Sequence, residues 1–178
     1  MPSAHTALRN AQTLTEQRMI LKDGRTLGFA EYGDPNGKPV LECHGWPSSR
    51  LQASNYDQAG KKVGARIIGI DRPGIGISTF KKGFRVVDWP SDVVELADAL
   101  GLERFAVVGI SSGSPYGLVC ARFIPKRLTS CAIVCGICPL KVEGETLRAK
   151  DYLDPRAKLL GRQRRHIASR ARTRLRRR

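Results

Sequence analysis

The chain has 178 residues, enough for one domain with its own core, and its 41% hydrophobic content is spread over short runs, as in soluble globular proteins. No apolar run is long enough to span a membrane, and the first 18 residues lack the apolar stretch of a signal peptide. The net charge of +15 is uneven, because residues 148–178 hold 13 of the 31 basic residues and only 2 of the 16 acidic ones, so a polyanion partner is expected only at this tail.

The N-terminal part predicts an antiparallel hairpin followed by a further strand. Residues 1–18 are expected to form a flexible arm. Strands are predicted at 19–22 and 27–33, because the Asp-Gly pair between these apolar runs is a strong hairpin signal. The run at 40–43 predicts the next strand, which ends at a His-Gly-Trp-Pro sequence.

Helices and strands then alternate along the chain. Helices are predicted around 51–63, over 91–100 and over 112–123, and strands at 66–70, 105–110 and 128–137. The second of these helices is expected to expose Ser91, Asp92 and Glu95. The alternation predicts the α/β class, with a mostly parallel, doubly wound sheet that carries an antiparallel N-terminal hairpin.

Beyond residue 140 this pattern ends. We therefore expect a core over residues 19–140, one possible helix start over residues 141–160, and an Arg-rich disordered tail over residues 161–178.

A Gly-x-Ser-x-Gly sequence lies directly between a predicted buried strand and a predicted helix. Such a turn needs small residues on both sides of the serine, and Gly109 and Gly113 supply them around Ser111. The amide of Ser112, at the start of the helix, is a candidate donor to an oxyanion. A second candidate is the amide of Trp46, in the loop after the strand at 40–43.

Three motifs in this order make residues 19–140 resemble the α/β-hydrolase fold family: HGWP at 44–47, DRPGIGIS at 71–78 and GISSGSPYG at 109–117. The resemblance implies that Ser111 is a nucleophile that attacks an acyl carbon, that the amides of Trp46 and Ser112 form the oxyanion hole, and that no cofactor or metal is needed. His44, Gly45, Gly109 and Gly113 then support the motifs. Serine at the nucleophile position favours ester, thioester or amide substrates.

The resemblance also implies a histidine base and a carboxylate, which family members carry after a cap segment and on later strands. Here His166 has no strand before it, and neither have Asp151 and Asp154, whereas Asp71 precedes the serine and resembles a structural loop residue. The chain is thus expected to stop before the cap and the last strands. The abrupt rise in arginine in its tail suggests an altered reading frame or splice.

Other residues favour plain structural interpretations. Cys131, Cys135 and Cys138 are expected to pack in the core rather than bind a metal, and five cysteines without an export signal predict reduced thiols and a cytoplasmic protein. Trp46 and Trp89 are expected mainly to pack.

Two functions follow from these observations. The first is a serine hydrolase that acts on a small acyl substrate, a prediction that leans on the resemblance. The alternative is a catalytically inactive remnant that binds partners through its basic tail, as a non-specific polyanion binder, or self-associates through the apolar edge left exposed at the strand over 128–137.

Overall fold

The computed structural model describes residues 15–136 and four further residues, Lys141–Val142 and Glu145–Thr146. The chain divides into two compact units, Met1–Cys138 and Pro139–Arg178. In the second unit, strands β7 (Lys141–Val142) and β8 (Glu145–Thr146) pair antiparallel. A possible helix start was predicted over residues 141–160, of which the structure describes only these four. The remainder of the tail lies outside the described residues.

The described residues of the first unit form one sheet of six strands. They are β1 (Gln17–Ile20), β2 (Thr26–Gly33), β3 (Lys38–Cys43), β4 (Ala65–Ile70), β5 (Phe105–Ile110) and β6 (Leu128–Val134). Their order in the sheet is β1-β2-β4-β3-β5-β6. Strand β2 pairs antiparallel with β1 and β4, and the pairs from β4 to β6 are parallel. The predicted mixed α/β sheet with its N-terminal hairpin is confirmed.

The helices lie where the periodicity placed them, although two of them begin as 3₁₀ turns. A 3₁₀ helix, Arg50–Tyr56, precedes α1 (Asp57–Val63); α2 is Trp89–Ala99; and the 3₁₀ turn Ser111–Gly113 precedes α3 (Ser114–Phe123). Short 3₁₀ turns at Val86–Asp88 and Pro125–Arg127 complete the described elements. None of the helices in the described residues is long and apolar enough to cross a membrane.

The main core lies between the sheet and helices α2 and α3. Trp89 is fully buried and meets the Tyr116 ring edge-on, with the ring centroids 5.5 Å apart. Around them pack Leu41 and Ile68 of the sheet and Leu96 of α2. The prediction that Trp89 packs in the core is confirmed.

Three sequence predictions about local structure were wrong. Strand β1 is Gln17–Ile20 rather than 19–22, so its first two residues do not belong to the predicted arm. The strand ends early because the hairpin loop spans five residues and is closed by a hydrogen bond of 2.8 Å from the Leu21 amide to the Arg25 carbonyl. Asp92 is buried rather than exposed, because Arg25 donates two hydrogen bonds, of 2.6 and 2.9 Å, to its carboxylate. Strand β6 ends at Val134, because Cys135 turns the chain with a φ of 49°.

Candidate active site

The loops that carry the motifs meet at the carboxyl edge of the sheet. Strand β3 lies between β4 and β5, so the chain leaves β3 toward one side of the sheet and later returns on the other. Such a switch in strand order opens a crevice beyond the carboxyl ends of the strands, where ligands bind in open α/β sheets. The loop after β3 and the turn after β5 both begin at this crevice.

Ser111 stands at the sharp turn directly after β5. Its φ is 50°, a left-handed conformation that a serine holds only when its surroundings enforce it. The backbone around Ser111 leaves no room for a side chain at either flanking glycine. A Cβ on Gly109 would lie 2.8 Å from the Gly113 carbonyl oxygen, and one on Gly113 would lie 2.0 Å from the Cys43 carbonyl oxygen. The Ser114 hydroxyl donates to the Ser111 carbonyl at 2.6 Å and fixes the turn from its far side.

The Ser112 amide lies in the first turn of the 3₁₀ helix that follows the strand. First-turn amides have no partner inside their own helix, so they can donate to another group. The Ser112 hydroxyl is buried and has no hydrogen-bond partner among the described residues. What this residue can offer to a ligand is therefore its backbone N–H at the positive end of a helix.

His44 holds the loop after β3 together. Its ring is fully buried, and its Nδ1 lies 2.8 Å from the Gly45 carbonyl oxygen. Because a carbonyl only accepts, Nδ1 carries the proton. Burial lowers the pKa of His44 to about 4, so the ring is neutral at pH 7. In this position the imidazole is a structural donor to the loop.

Arg72 joins this loop to the serine turn. Its Nη2 donates to the Gly45 carbonyl at 3.1 Å, its Nη1 donates to the Ser112 carbonyl at 3.4 Å, and its guanidinium lies over the Tyr116 ring, 4.9 Å from the centroid. Since a trans peptide is planar, the N–H of Trp46 points opposite to the Gly45 carbonyl that Arg72 and His44 hold. Arg72 therefore orients the candidate oxyanion donor of this loop.

Trp46 does not pack as expected. Its side chain is 69% exposed, so the packing interpretation of this residue was wrong. The Gly45 carbonyl is bound by the buried His44 and Arg72, which fixes the loop without burying the Trp46 side chain. The indole is thus available at the rim of the crevice, within the loop that faces Ser111. A Cβ on Gly45 would lie 3.4 Å from the Ser111 Cβ.

Asp71 has a structural role in the loop after β4. Its carboxylate is fully buried and accepts from the Arg50 amide at 2.7 Å, from the Arg50 guanidinium at 2.8 Å and from the Ile77 amide at 2.9 Å. The Ser78 hydroxyl donates to the Asp71 carbonyl at 3.0 Å. With three donors on its carboxylate, Asp71 fixes the 71–78 loop against the 3₁₀ helix that begins at Arg50.

The described residues contain one histidine, His44, and its ring proton is bound to a backbone carbonyl. His5, His166, Asp151 and Asp154 lie outside the described residues. The Nε2 of His44, which is the nitrogen free to accept a proton, has no hydrogen-bond partner, so no histidine is hydrogen-bonded to Ser111 within residues 15–136.

The cysteines differ in their surroundings. Cys131 is half-buried against the core, its Sγ donates to the Gly117 carbonyl at 3.6 Å, and burial raises its pKa to about 11. Cys135 is exposed, so its expected core position was wrong, and Cys138 lies outside the described residues. Over residues 15–136, no three side chains of metal-ligating type lie close enough together to hold an ion.

Sequence reasoning missed the polar residues that support the loop. Glu42 is fully buried in β3, and Gln52 lies between its carboxylate and the Gly45 amide. A charged residue inside the apolar run VLEC was a signal for the first of these. Neither Gln52 nor the contacts of Arg72 carried a comparable signal.

Comparison with known proteins gives a consistent result. The family model described as alpha/beta hydrolase fold matches residues 38–174. The chain is 30% identical over 126 residues to a non-heme chloroperoxidase of Streptomyces lividans, covering 70% of this chain and 46% of that protein. It is 31% identical over 116 residues to a proline iminopeptidase of Xylella fastidiosa, covering 62% of this chain and 36% of the relative.

A solved structure shares the fold. The epoxide hydrolase CorEH superposes with a TM-score of 0.64 at 24% identity, over 78% of this chain and 48% of that one. The chain thus spans less than half the length of these relatives. The strand order, the turn at Ser111 and the family match over 38–174 lead to one conclusion: the chain belongs to the α/β-hydrolase fold family.

Proposed function

We propose that the chain supplies the nucleophile and oxyanion hole of a serine hydrolase that cleaves an ester, thioester or amide. The observation that carries the proposal is the conformation of Ser111, a serine held at φ 50° at the carboxyl edge of the sheet. Strain of this kind persists only where the surrounding structure imposes it, and it clusters at active sites. Hydrolysis of an amide is also in keeping with the similarity to a proline iminopeptidase.

In this reaction the Ser111 hydroxyl loses its proton to a base and attacks the acyl carbon, which forms a tetrahedral oxyanion. The amides of Ser112 and Trp46 donate to that oxygen, and the leaving group departs with a proton. Water then releases the acyl group from the serine by the same steps. No cofactor takes part in this chemistry.

The alternative function is binding without catalysis. It is favoured by the burial of His44, the one histidine of the described residues, whose Nε2 has no hydrogen-bond partner there and so is not paired with Ser111. A serine without a base is a poor nucleophile at neutral pH. The turn at Ser111 would then keep the conformation of the family without its catalytic activity.

Labelling with a fluorophosphonate probe separates the two functions. We expect the purified 178-residue chain to be labelled and Ser111→Ala to remain unlabelled, with Ser91→Ala, which changes an exposed serine on α2, as the control. Circular dichroism establishes that each variant is folded. If a folded wild-type chain takes up no probe, the hydrolase proposal fails and the binding function replaces it.

A further inference from the structure

Glu42 is a buried carboxyl group inside an apolar strand. It lies in β3 and is 0% exposed. Its Oε1 accepts a hydrogen bond from the Gln52 side chain at 2.9 Å, and its Oε2 has no partner among the described residues. Burial raises the pKa of Glu42 to about 8, against the opposing charge of Arg72, so the group is mostly protonated at neutral pH.

Gln52 connects this carboxyl group to the loop that faces Ser111. The Gly45 amide lies 3.1 Å from the Gln52 Oε1, and because a backbone N–H only donates, the atom that faces it is the amide oxygen. The nitrogen of the same amide group must then face Glu42, to which it donates. The Gly45 N–H and the acceptor on Glu42 thus favour the same orientation of the Gln52 amide.

The Gly45 residue is therefore held from both sides. Its N–H is bound by Gln52, and its carbonyl is bound by Arg72 and His44. The carbonyl belongs to the peptide that carries the Trp46 amide. The Gly45 N–H belongs to the peptide before it, so a change at Gln52 frees one of the two peptide groups that fix the backbone of Gly45.

We propose that Glu42 is a positioning residue that, through the Gln52 amide, holds the Gly45 N–H and so keeps the Trp46 amide directed toward the acyl oxygen at Ser111. The inference rests on the proposed hydrolase function for its catalytic meaning. The contact chain from Glu42 to Gly45 is independent of it. Glu42 touches neither substrate nor reacting atoms.

The test compares three variants of the full chain. Glu42→Gln keeps an acceptor oxygen in the shape of the protonated acid, whereas Glu42→Met removes the acceptor and Gln52→Met removes the connecting amide. Gln58→Met, an exposed change on α1, is the matched control. Hydrogen exchange of the Gly45 amide is followed by NMR, and the fluorophosphonate labelling rate of Ser111 is measured on the same samples.

We expect the two methionine variants at positions 42 and 52 to exchange the Gly45 amide about threefold to tenfold faster, the effect of losing one hydrogen bond, and to label more slowly by a similar factor. Glu42→Gln and Gln58→Met should behave as the wild type. Should Glu42→Met fail to fold, Gln52→Met, a change at a half-buried side chain, gives the same measurement.

Two results have distinct meanings. An unchanged Gly45 exchange rate in Gln52→Met overturns the positioning role, whether or not Ser111 is labelled. Faster exchange in the methionine variants, rescued in Glu42→Gln, supports the role even if the wild-type chain takes up no probe. In that case only the proposed hydrolase function fails.

Discussion

Ser111 adopts a backbone conformation that costs a non-glycine residue about 1–3 kcal/mol. The structure maintains it because β5, the loop after β3 and α3 approach each other at Gly109 and Gly113, where no Cβ fits. The carbonyl oxygens of Cys43 and His44 would lie 2.0 and 2.6 Å from a Cβ on Gly113. These are backbone atoms, which cannot move aside as a flexible side chain can.

Gly113→Ala should therefore lower the free energy of unfolding by about 1–3 kcal/mol or more. Urea unfolding followed by circular dichroism measures this change. Gly117→Ala is the control, because its Cβ would meet the Ile133 Cδ1, the end of a flexible side chain, at 3.3 Å and the Gly109 backbone only at 3.4 Å, an ordinary van der Waals distance. We expect the control to stay within about 1 kcal/mol of the wild type, since alanine also favours a helix. Equal effects of the two changes would contradict the steric account.

Glu42 makes the stability of the fold depend on pH. Its pKa is raised from 4.5 to about 8 by burial, while the positive charge of Arg72 opposes the shift. A carboxyl group with a raised pKa stabilises the folded state below its unfolded pKa and loses that contribution as pH rises through the folded value.

The wild-type free energy of unfolding should consequently fall between pH 5 and pH 9 relative to that of Glu42→Gln, which cannot ionise. Chemical denaturation of both proteins across this range measures the difference. A difference that is constant with pH would show that Glu42 is ionised throughout, and would contradict the assignment of a buried neutral acid.

At the scale of elements, the hairpin and α2 are joined by an ion pair. Arg25, in the loop between β1 and β2, grips Asp92 with two hydrogen bonds, and both side chains are at least nine-tenths buried. The Asp92 carboxylate helps to raise the pKa of Arg25 further above its ordinary value. This ion pair explains why Asp92 is buried, although the helical pattern predicted an exposed residue.

Removing the Asp92 carboxylate leaves the buried Arg25 with Asp23 as its remaining partner, 2.8 Å away. Asp92→Asn should therefore lower the free energy of unfolding by about 1.5–3 kcal/mol, the cost of losing hydrogen bonds to a charged group. Asp88→Asn, in the more exposed pair with Arg85, should cost less than about 1 kcal/mol. Urea titrations of the two variants measure this contrast. Similar losses in both would show that the Arg25–Asp92 pair is screened as a surface pair is.

At the scale of the whole molecule, β6 forms one edge of the described sheet. Ile133 is 40% exposed and Val134 is 44% exposed, and β6 pairs only with β5 among the described strands. An apolar strand edge of this kind readily pairs with another chain. We therefore expect a second copy of the chain to associate at this edge.

Light scattering after size-exclusion chromatography should show a mass that rises with protein concentration. Val134→Lys should lower that mass, because a charge on an edge strand opposes pairing. Val63→Lys, at the end of α1 and 74% exposed, places the same charge elsewhere and should leave the mass unchanged. A wild-type chain that stays monomeric over the whole range would contradict this expectation.

Sequence alone was enough for the features that are local. Short apolar runs separated by turn residues predicted the strands and helices, and the glycines on both sides of Ser111 predicted a sharp turn. These predictions worked because each depends on a few consecutive residues, whose backbone preferences and steric limits can be read directly.

Tertiary structure decided the features that depend on distant partners. Asp92 is buried because Arg25, 67 positions earlier, neutralises it, and Gly45 is fixed because Gln52 and Arg72 come from separate elements. Trp46 is exposed beside a Gly45 carbonyl that Arg72, from the loop after β4, holds on the buried side. A polar or aromatic side chain can be buried or exposed at similar free energy until its partners are known, and only the folded chain brings those partners together.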